Sequence, residues 1–256
     1  MSLLVLALVK NEMERFLPSA LRAWATFADD VIILDDSSTD GSRETAEAFG
    51  AHVFRRETSE AAWGREATAR KALFDLGWAH ARIDDYLLVL DADMTPAKDP
   101  RVLMESEADA VAFNLYDIWK VERQEVWDHT CNPPRHDGTS ERIFYRADGA
   151  WKAHLLPRVW MWKKTRTPAD VFMWTKRGVH CGHLPNNIEF ASLAYAPPDH
   201  GLLHMAYATP ELRADKYAAY ARVASDLTDF EIAHARSIMD EKVELKELTF
   251  VPDFAL

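Results

Sequence analysis

The sequence predicts an α/β fold: a mainly parallel sheet flanked by helices, then a loop-rich half and C-terminal helices. Three observations point there. Short apolar runs alternate with segments of helical period through the first half, the pattern of βαβ units. Several runs, such as Leu3–Val9, are apolar at every position, as in strands buried on both faces. From Trp119 to Pro198 the chain turns rich in tryptophan, histidine, proline and arginine without a sustained period. That reads as short strands and long loops, which carry binding more often than core.

The elements follow in order. Residues 3–9 are the first strand, and Phe16, Leu17, Leu21 and Trp24 recur at helical spacing. Residues 31–34 are a second buried strand running into Asp35-Asp36, and Ser37-Ser38-Thr39-Asp40-Gly41 is turn chemistry. A helix through Ala48 stops at Gly50, and His52-Val53-Phe54 is a third strand. Residues 65–81 are alanine-rich and helical, residues 86–90 form a fourth strand, and residues 110–115 form a fifth. Thr209-Pro210 supplies an N-cap and a first-turn proline for a helix to about Ala224, and a second helical stretch covers roughly residues 229–242. With no repeat, low-complexity segment or linker, residues 1–256 are expected to form one domain.

Composition excludes several function classes. Asp and Glu total 41 against 30 Lys and Arg, a net charge of −11, the wrong sign for a protein that tracks nucleic-acid phosphates. Two cysteines, Cys131 and Cys181, cannot build a disulfide framework or a cysteine-based zinc module. The run 3–9 lacks a basic flank and a cleavage site and is far shorter than a membrane span. The expectation is a cytoplasmic protein with free thiols and no transmembrane segment.

Polar groups gather where three strands end: Lys10-Asn11-Glu12, Asp35-Asp36 and Asp91-Ala92-Asp93. In an open parallel sheet, ligands sit beyond the carboxyl ends of the strands, so the three clusters converge on one crevice. Two carboxylates one residue apart on an extended chain point the same way. They repel unless a cation lies between them, and hard oxygen ligands suit Mg2+ or Mn2+. Such an ion bridges a diphosphate and neutralises a leaving group.

In this order and spacing, Val9-Lys10-Asn11-Glu12, Ile33-Leu34-Asp35-Asp36-Ser37-Ser38-Thr39-Asp40-Gly41-Ser42 and Leu90-Asp91-Ala92-Asp93 resemble the family 2 glycosyltransferases of bacterial and phage type. The resemblance implies the GT-A fold, a Rossmann-like sheet, with residues 1–118 as a nucleotide-sugar-binding half and 119–256 as an acceptor half. It implies that Asp35 or Asp36 meets the base and ribose of the donor, that Lys10, Asn11 and Glu12 line the same pocket, and that Asp93 is the direct metal ligand. Asp91 then lies nearer the ribose or behind the metal. A basic residue on the helix before the triplet faces the donor, matched by Arg65 or Arg70.

In the second half the resemblance implies a histidine as a further metal ligand. His204, in His200-Gly201-Leu202-Leu203-His204, is the first choice, with His180 and His183 competing. The cluster His180-Cys181-Gly182-His183 offers too few ligands for structural zinc. Arg213, Lys216, Tyr217 and Tyr220 share one helix face, from which Arg213 and Lys216 would approach the donor phosphates. An inverting transferase needs a carboxylate base; Asp137 and Glu141 are the candidates, with Asp128 and Glu189 behind them. The glutamate-aspartate base motif and the Gln-x-x-Arg-Trp motif of processive members are absent. The tryptophans at 119, 127, 151, 160, 162 and 174 fill the core beneath the loops or stack on sugar rings.

The expectation is a metal-dependent transferase using Mn2+ or Mg2+. It would pass a sugar from a nucleotide-diphosphate donor, UDP-sugar first and GDP- or dTDP-sugar next, to the hydroxyl of a saccharide or other acceptor. The alternatives are a sugar nucleotidyltransferase, which wants a glycine-rich loop after the first strand, and a non-catalytic binding protein on a transferase fold.

Overall fold

A computed structural model describes residues 1–56, 66–128, 130, 131, 133, 135–174, 182–223 and 227–253, without the side chains of 127, 128 and 135–138. The elements are β1 (Leu3–Val9), α1 (Leu17–Trp24), β2 (Asp30–Asp35), α2 (Ser42–Ala48), β3 (His52–Arg55), α3 (Glu66–His80), β4 (Tyr86–Val89), β5 (Met94–Pro96), β6 (Ala110–Phe113), β7 (Leu115–Asp128), β8 (Arg135–Arg146), β9 (Arg158–Lys163), β10 (Leu193–Tyr195), β11 (Leu202–His204), α4 (Pro210–Arg222), α5 (Asp229–Ser237) and β12 (Leu245–Glu247). Among the described residues, no helix is long and apolar enough to cross a membrane.

The first sheet runs β10-β6-β9-β4-β1-β2-β3. Strands β1 to β4 pair parallel, with β1 central between β2 and β4. β1 is apolar throughout because both its faces are covered. Leu3, Val5, Ala7 and Val9 pack with Leu17, Leu21 and Trp24 of α1 on one face. Leu4 and Leu6 pack with Leu73, Phe74 and Trp78 of α3 on the other. Gly77 is what lets α3 approach this closely, since a Cβ there would stand 2.5 Å from Leu6 Cδ1.

Strand β9 departs from the parallel pattern, running antiparallel between β4 and β6. The expected fifth strand also breaks in two: β6 ends at Phe113, and after Asn114 the chain passes into the second sheet as β7. That sheet runs β12-β8-β7-β11-β5. Its centre is the antiparallel pair β7 and β8, where the sequence suggested short strands and loops. The pair escapes periodicity because its outer stretch is solvated on both sides and held by cross-strand ion pairs such as Arg123–Glu141 at 2.6 Å.

The C-terminal helices end earlier than the pattern suggested, at Arg222 and Ser237. They cover a cluster of Trp119, Trp151, Ala206, Tyr207, Tyr220, Val223, Ala235 and Ile238. With Trp160 and Trp162 also buried, four of the tryptophans considered for sugar stacking serve as core.

Candidate active site

Three strand ends open on one side of the first sheet: β1 at Val9, β2 at Asp35 and β4 at Val89. The loops after β1 and β2 are zipped together. Asn11 N–H donates to Ser38 Oγ at 3.0 Å, Thr39 N–H to Asn11 Oδ1 at 2.8 Å, Glu12 N–H to Ser42 Oγ at 2.9 Å and Met13 N–H to Asp40 Oδ2 at 3.0 Å. The zip supports left-handed backbone at Asn11 (φ 54°) and Ser37 (φ 63°). Asp36 is fully buried against Arg56 Nε at 2.7 Å and Lys10 Nζ at 3.7 Å. Asp35 turns back to accept from Ser38 N–H at 3.2 Å.

The acidic triplet is not extended chain. It lies in a turn closed by Met94 N–H on the Asp91 carbonyl at 2.9 Å, and its carboxylates meet different partners. Asp91 Oδ1 accepts from Arg70 Nη2 at 2.8 Å, while Asp93 Oδ2 faces His204 Nε2 at 3.4 Å and Lys216 Nζ at 3.8 Å. Burial opposes ionisation of both. Arg70 outweighs it at Asp91, and His204 and Lys216 outweigh it at Asp93, so both carboxyls sit below their usual range. The repulsion expected within the triplet is thus answered by protein cations.

The second sheet aligns the rest. β11 pairs with β5 so that His204 lies opposite Met94, and with β7 so that His204 lies opposite Asp117. Met205 N–H ties the Asp93 carbonyl at 2.7 Å. Asp117 accepts from His204 Nδ1 at 2.7 Å and from His154 Nδ1 at 2.6 Å; despite burial, these two bonds hold its carboxyl well below the usual range. Burial alone would depress His204, but Asp93 and Asp117 lift its imidazole to about 9. Glu12 is raised to about 7, first by burial, with Asp93 and Asp91 adding to it against Arg15 and Lys216.

Asp93 Oδ1 is buried with no hydrogen-bond partner among the described residues. A buried carboxylate oxygen without a donor is costly, and a cation satisfies it. Carboxylate oxygen beside one imidazole nitrogen, with a second carboxylate near, suits Mn2+ or Mg2+. The residues present fit such an ion.

The family model for Glycosyl transferase family 2 matches residues 5–157. The chain belongs to glycosyl transferase family 2. No curated protein matches it. Among solved structures, glucosyl-3-phosphoglycerate synthase from Mycobacterium tuberculosis with phosphoglyceric acid matches at 20% identity over 45% of this chain and 44% of that chain, TM-score 0.33. The same protein with Mn2+, uridine diphosphate and glucosyl-3-phosphoglycerate matches at 19% identity, 45% and 44% coverage and TM-score 0.32. With Mg2+ and uridine diphosphate the values are 19%, 45%, 43% and 0.32. The chain therefore spans less than half the length of these relatives.

In this family 2 chain the remaining candidates are placed as follows. On α3 it is Arg70 that reaches the triplet; Arg65 lies outside the described residues. Arg213 is not at Asp93: its Nη1 donates to the carbonyls of Trp119 at 3.0 Å and Tyr207 at 2.7 Å, with the guanidinium over the Trp119 ring. Glu141 sits on the exposed hairpin, paired with Arg123, and Glu189 is exposed. The side chains of Asp128 and Asp137, and all of His180 and Cys181, lie outside the described residues. Of the competing histidines, His183 packs on Trp160 with ring centroids 4.0 Å apart, and burial, then Arg70, depress it to about 3.

Sequence reasoning missed Asp117, His154 and Arg56. The signal for Asp117 was present: it is a lone acid inside the apolar stretch Leu115-Tyr116-Asp117-Ile118-Trp119, and a buried acid requires a partner. Nothing local marks His154.

Proposed function

We propose that the chain is a metal-dependent glycosyltransferase that moves a sugar from a nucleotide-diphosphate sugar to an acceptor hydroxyl with inversion. The observation that carries the reading is the unsatisfied Asp93 Oδ1 beside His204 Nε2, at the end of a nucleotide-binding type of sheet. Asp93 and His204 would hold Mn2+ or Mg2+, with Asp91 behind them. The ion, when bound, supplies Lewis-acid stabilisation of the departing diphosphate.

The chain's own residues do the rest. Lys216 adds a fixed positive charge where the leaving diphosphate gathers negative charge. Arg70 holds Asp91 in place, and Asp117 fixes the ring of His204 so that Nε2 points outward. The zipped loops carrying Lys10, Asn11, Glu12, Asp35 and Asp36 form the floor for base and ribose. Asp137 is the proposed base, because Glu141 is engaged with Arg123. UDP-sugars are the proposed donors, ahead of GDP- and dTDP-sugars, and a saccharide or other hydroxyl compound is the acceptor.

The test is a panel of nucleotide-sugars assayed for transfer and for hydrolysis, with Mn2+, with Mg2+ and with chelator. Metal-dependent release of one nucleoside diphosphate, lost in Asp93→Ala with the fold retained, is expected. Absence of release and of metal-dependent nucleotide binding across the panel would reject the reading.

A further inference from the structure

At the opposite end of the first sheet, three side chains from three elements converge. Asp30 opens β2, His52 opens β3 and His80 closes α3. His52 Nε2 lies 3.0 Å from Asp30 Oδ1, and His80 Nε2 lies 3.1 Å from Asp30 Oδ2. The two imidazoles lie with centroids 4.7 Å apart and planes tilted by 51°, and the donor atoms of all three residues lie within 4.8 Å of one another. These residues sit at the amino ends of the parallel strands, so they are no part of the crevice that holds Asp93.

We propose that Asp30, His52 and His80 form a second metal site, for a borderline divalent transition ion of the Zn2+ type. Two imidazoles and one carboxylate are a donor set that favours zinc, copper or nickel, whereas magnesium and manganese want mostly oxygen. Two donors on a tetrahedral ion at 2.0–2.1 Å stand about 3.3 Å apart, so each observed nitrogen–oxygen separation needs to open by a few tenths of an ångström, while the three donors, now within 4.8 Å of one another, would draw in around the ion by rotation of the rings. The side chains are 39%, 48% and 33% exposed, open enough for an ion to enter and for the rings to adjust. The last turn of α3 adds the negative end of its helix dipole, which favours a cation at His80. Three protein ligands leave a fourth position to water.

The consequence is mechanical. β3 is the edge strand of its sheet, and a bound ion would clip its first residue to β2 and to the end of α3. The two metal sites would then sort ions by donor chemistry, oxygen-rich at the crevice and nitrogen-rich at the back.

The experiment uses the full chain carrying Asp93→Asn, which removes the crevice ligand. Zn2+ is titrated by calorimetry, and Co2+ by visible absorption. One equivalent of Zn2+ is expected, with a rise in melting temperature and no competition from millimolar Mg2+. Adding His52→Ala or His80→Ala should weaken Zn2+ binding by about tenfold or more while leaving the melting temperature in chelator nearly unchanged. His52→Gln, which keeps the size of the side chain, repeats the test if the alanine variant folds poorly. Zn2+ binding that is absent, or equally tight without these histidines, would overturn the proposal and leave a metal-free histidine–carboxylate cluster.

Discussion

His204 Nδ1 donates to Asp117 Oδ1 across 2.7 Å, from a residue directly opposite in the pairing of β11 with β7. The bond fixes the ring so that Nε2 faces Asp93. In the proposed metal site Asp117 would act through His204, as a positioning residue.

Asp117→Asn should therefore lower Mn2+ affinity and metal-dependent turnover about 10–100-fold. The amide cannot accept from both His204 and His154 as the carboxylate does, so stability should fall by about 1–3 kcal/mol. Manganese titration and thermal melts check both. Unchanged affinity would mean that the ring is oriented by other contacts.

The imidazole of His204, lifted to about 9, is protonated at neutral pH in the metal-free protein. An ion needs the neutral ring and so must displace a proton. Mn2+ affinity should climb by up to about tenfold per pH unit below 9 and then level. Without metal the sign reverses for stability. The folded value is above the unfolded one, so the contribution is complete below about 6.5 and disappears as pH rises through 9. A melting temperature of the metal-free protein that falls over this window in the wild type, but not in His204→Gln, is the expected result.

His183 acts in the other direction. Its folded value of about 3 lies below the unfolded one, so the unfolded chain binds the extra proton. Stability should be complete above about pH 6.5 and decline as pH falls toward 3, by on the order of 1 kcal/mol per unit. His183→Asn should show a shallower acid slope than the wild type in paired melts.

Lys216 and Arg213 share a helix face but should separate by experiment. Lys216→Ala removes a charge 3.8 Å from Asp93 and should reduce turnover and donor affinity with little change in melting temperature. Arg213→Ala strips donors from two main-chain carbonyls and should cost about 1–3 kcal/mol of stability. A pure activity loss in Arg213→Ala would return that residue to the donor site.

Much of the first sheet was legible because β1, β2 and β4 are apolar at nearly every position, and such runs have few alternatives. The acids at their ends stood out against that background. What lay hidden depended on distant partners. Asp117 makes sense only through His154 and His204, 37 and 87 residues later. The β7–β8 pair is held by charges across its strands, which leave no hydrophobic period. The turn at Asp91-Ala92-Asp93 is set by β5 joining a different sheet from β4, a long-range event that no local pattern announces. Arg70, five residues after Arg65 in the sequence, is buried at 5% exposure, and its place is set by its reach to Asp91.

Asp93 adjoins Met94, Met94 lies opposite His204, and His204 lies opposite Asp117: three chemical groups on one rung across β5, β11 and β7. A slip of β11 by a single residue would turn His204 to the other side of the sheet while leaving helix and strand content almost untouched. Ion binding at the proposed site would therefore proofread strand register, and would distinguish a correctly threaded molecule from a near-native impostor that spectroscopy of the backbone would pass.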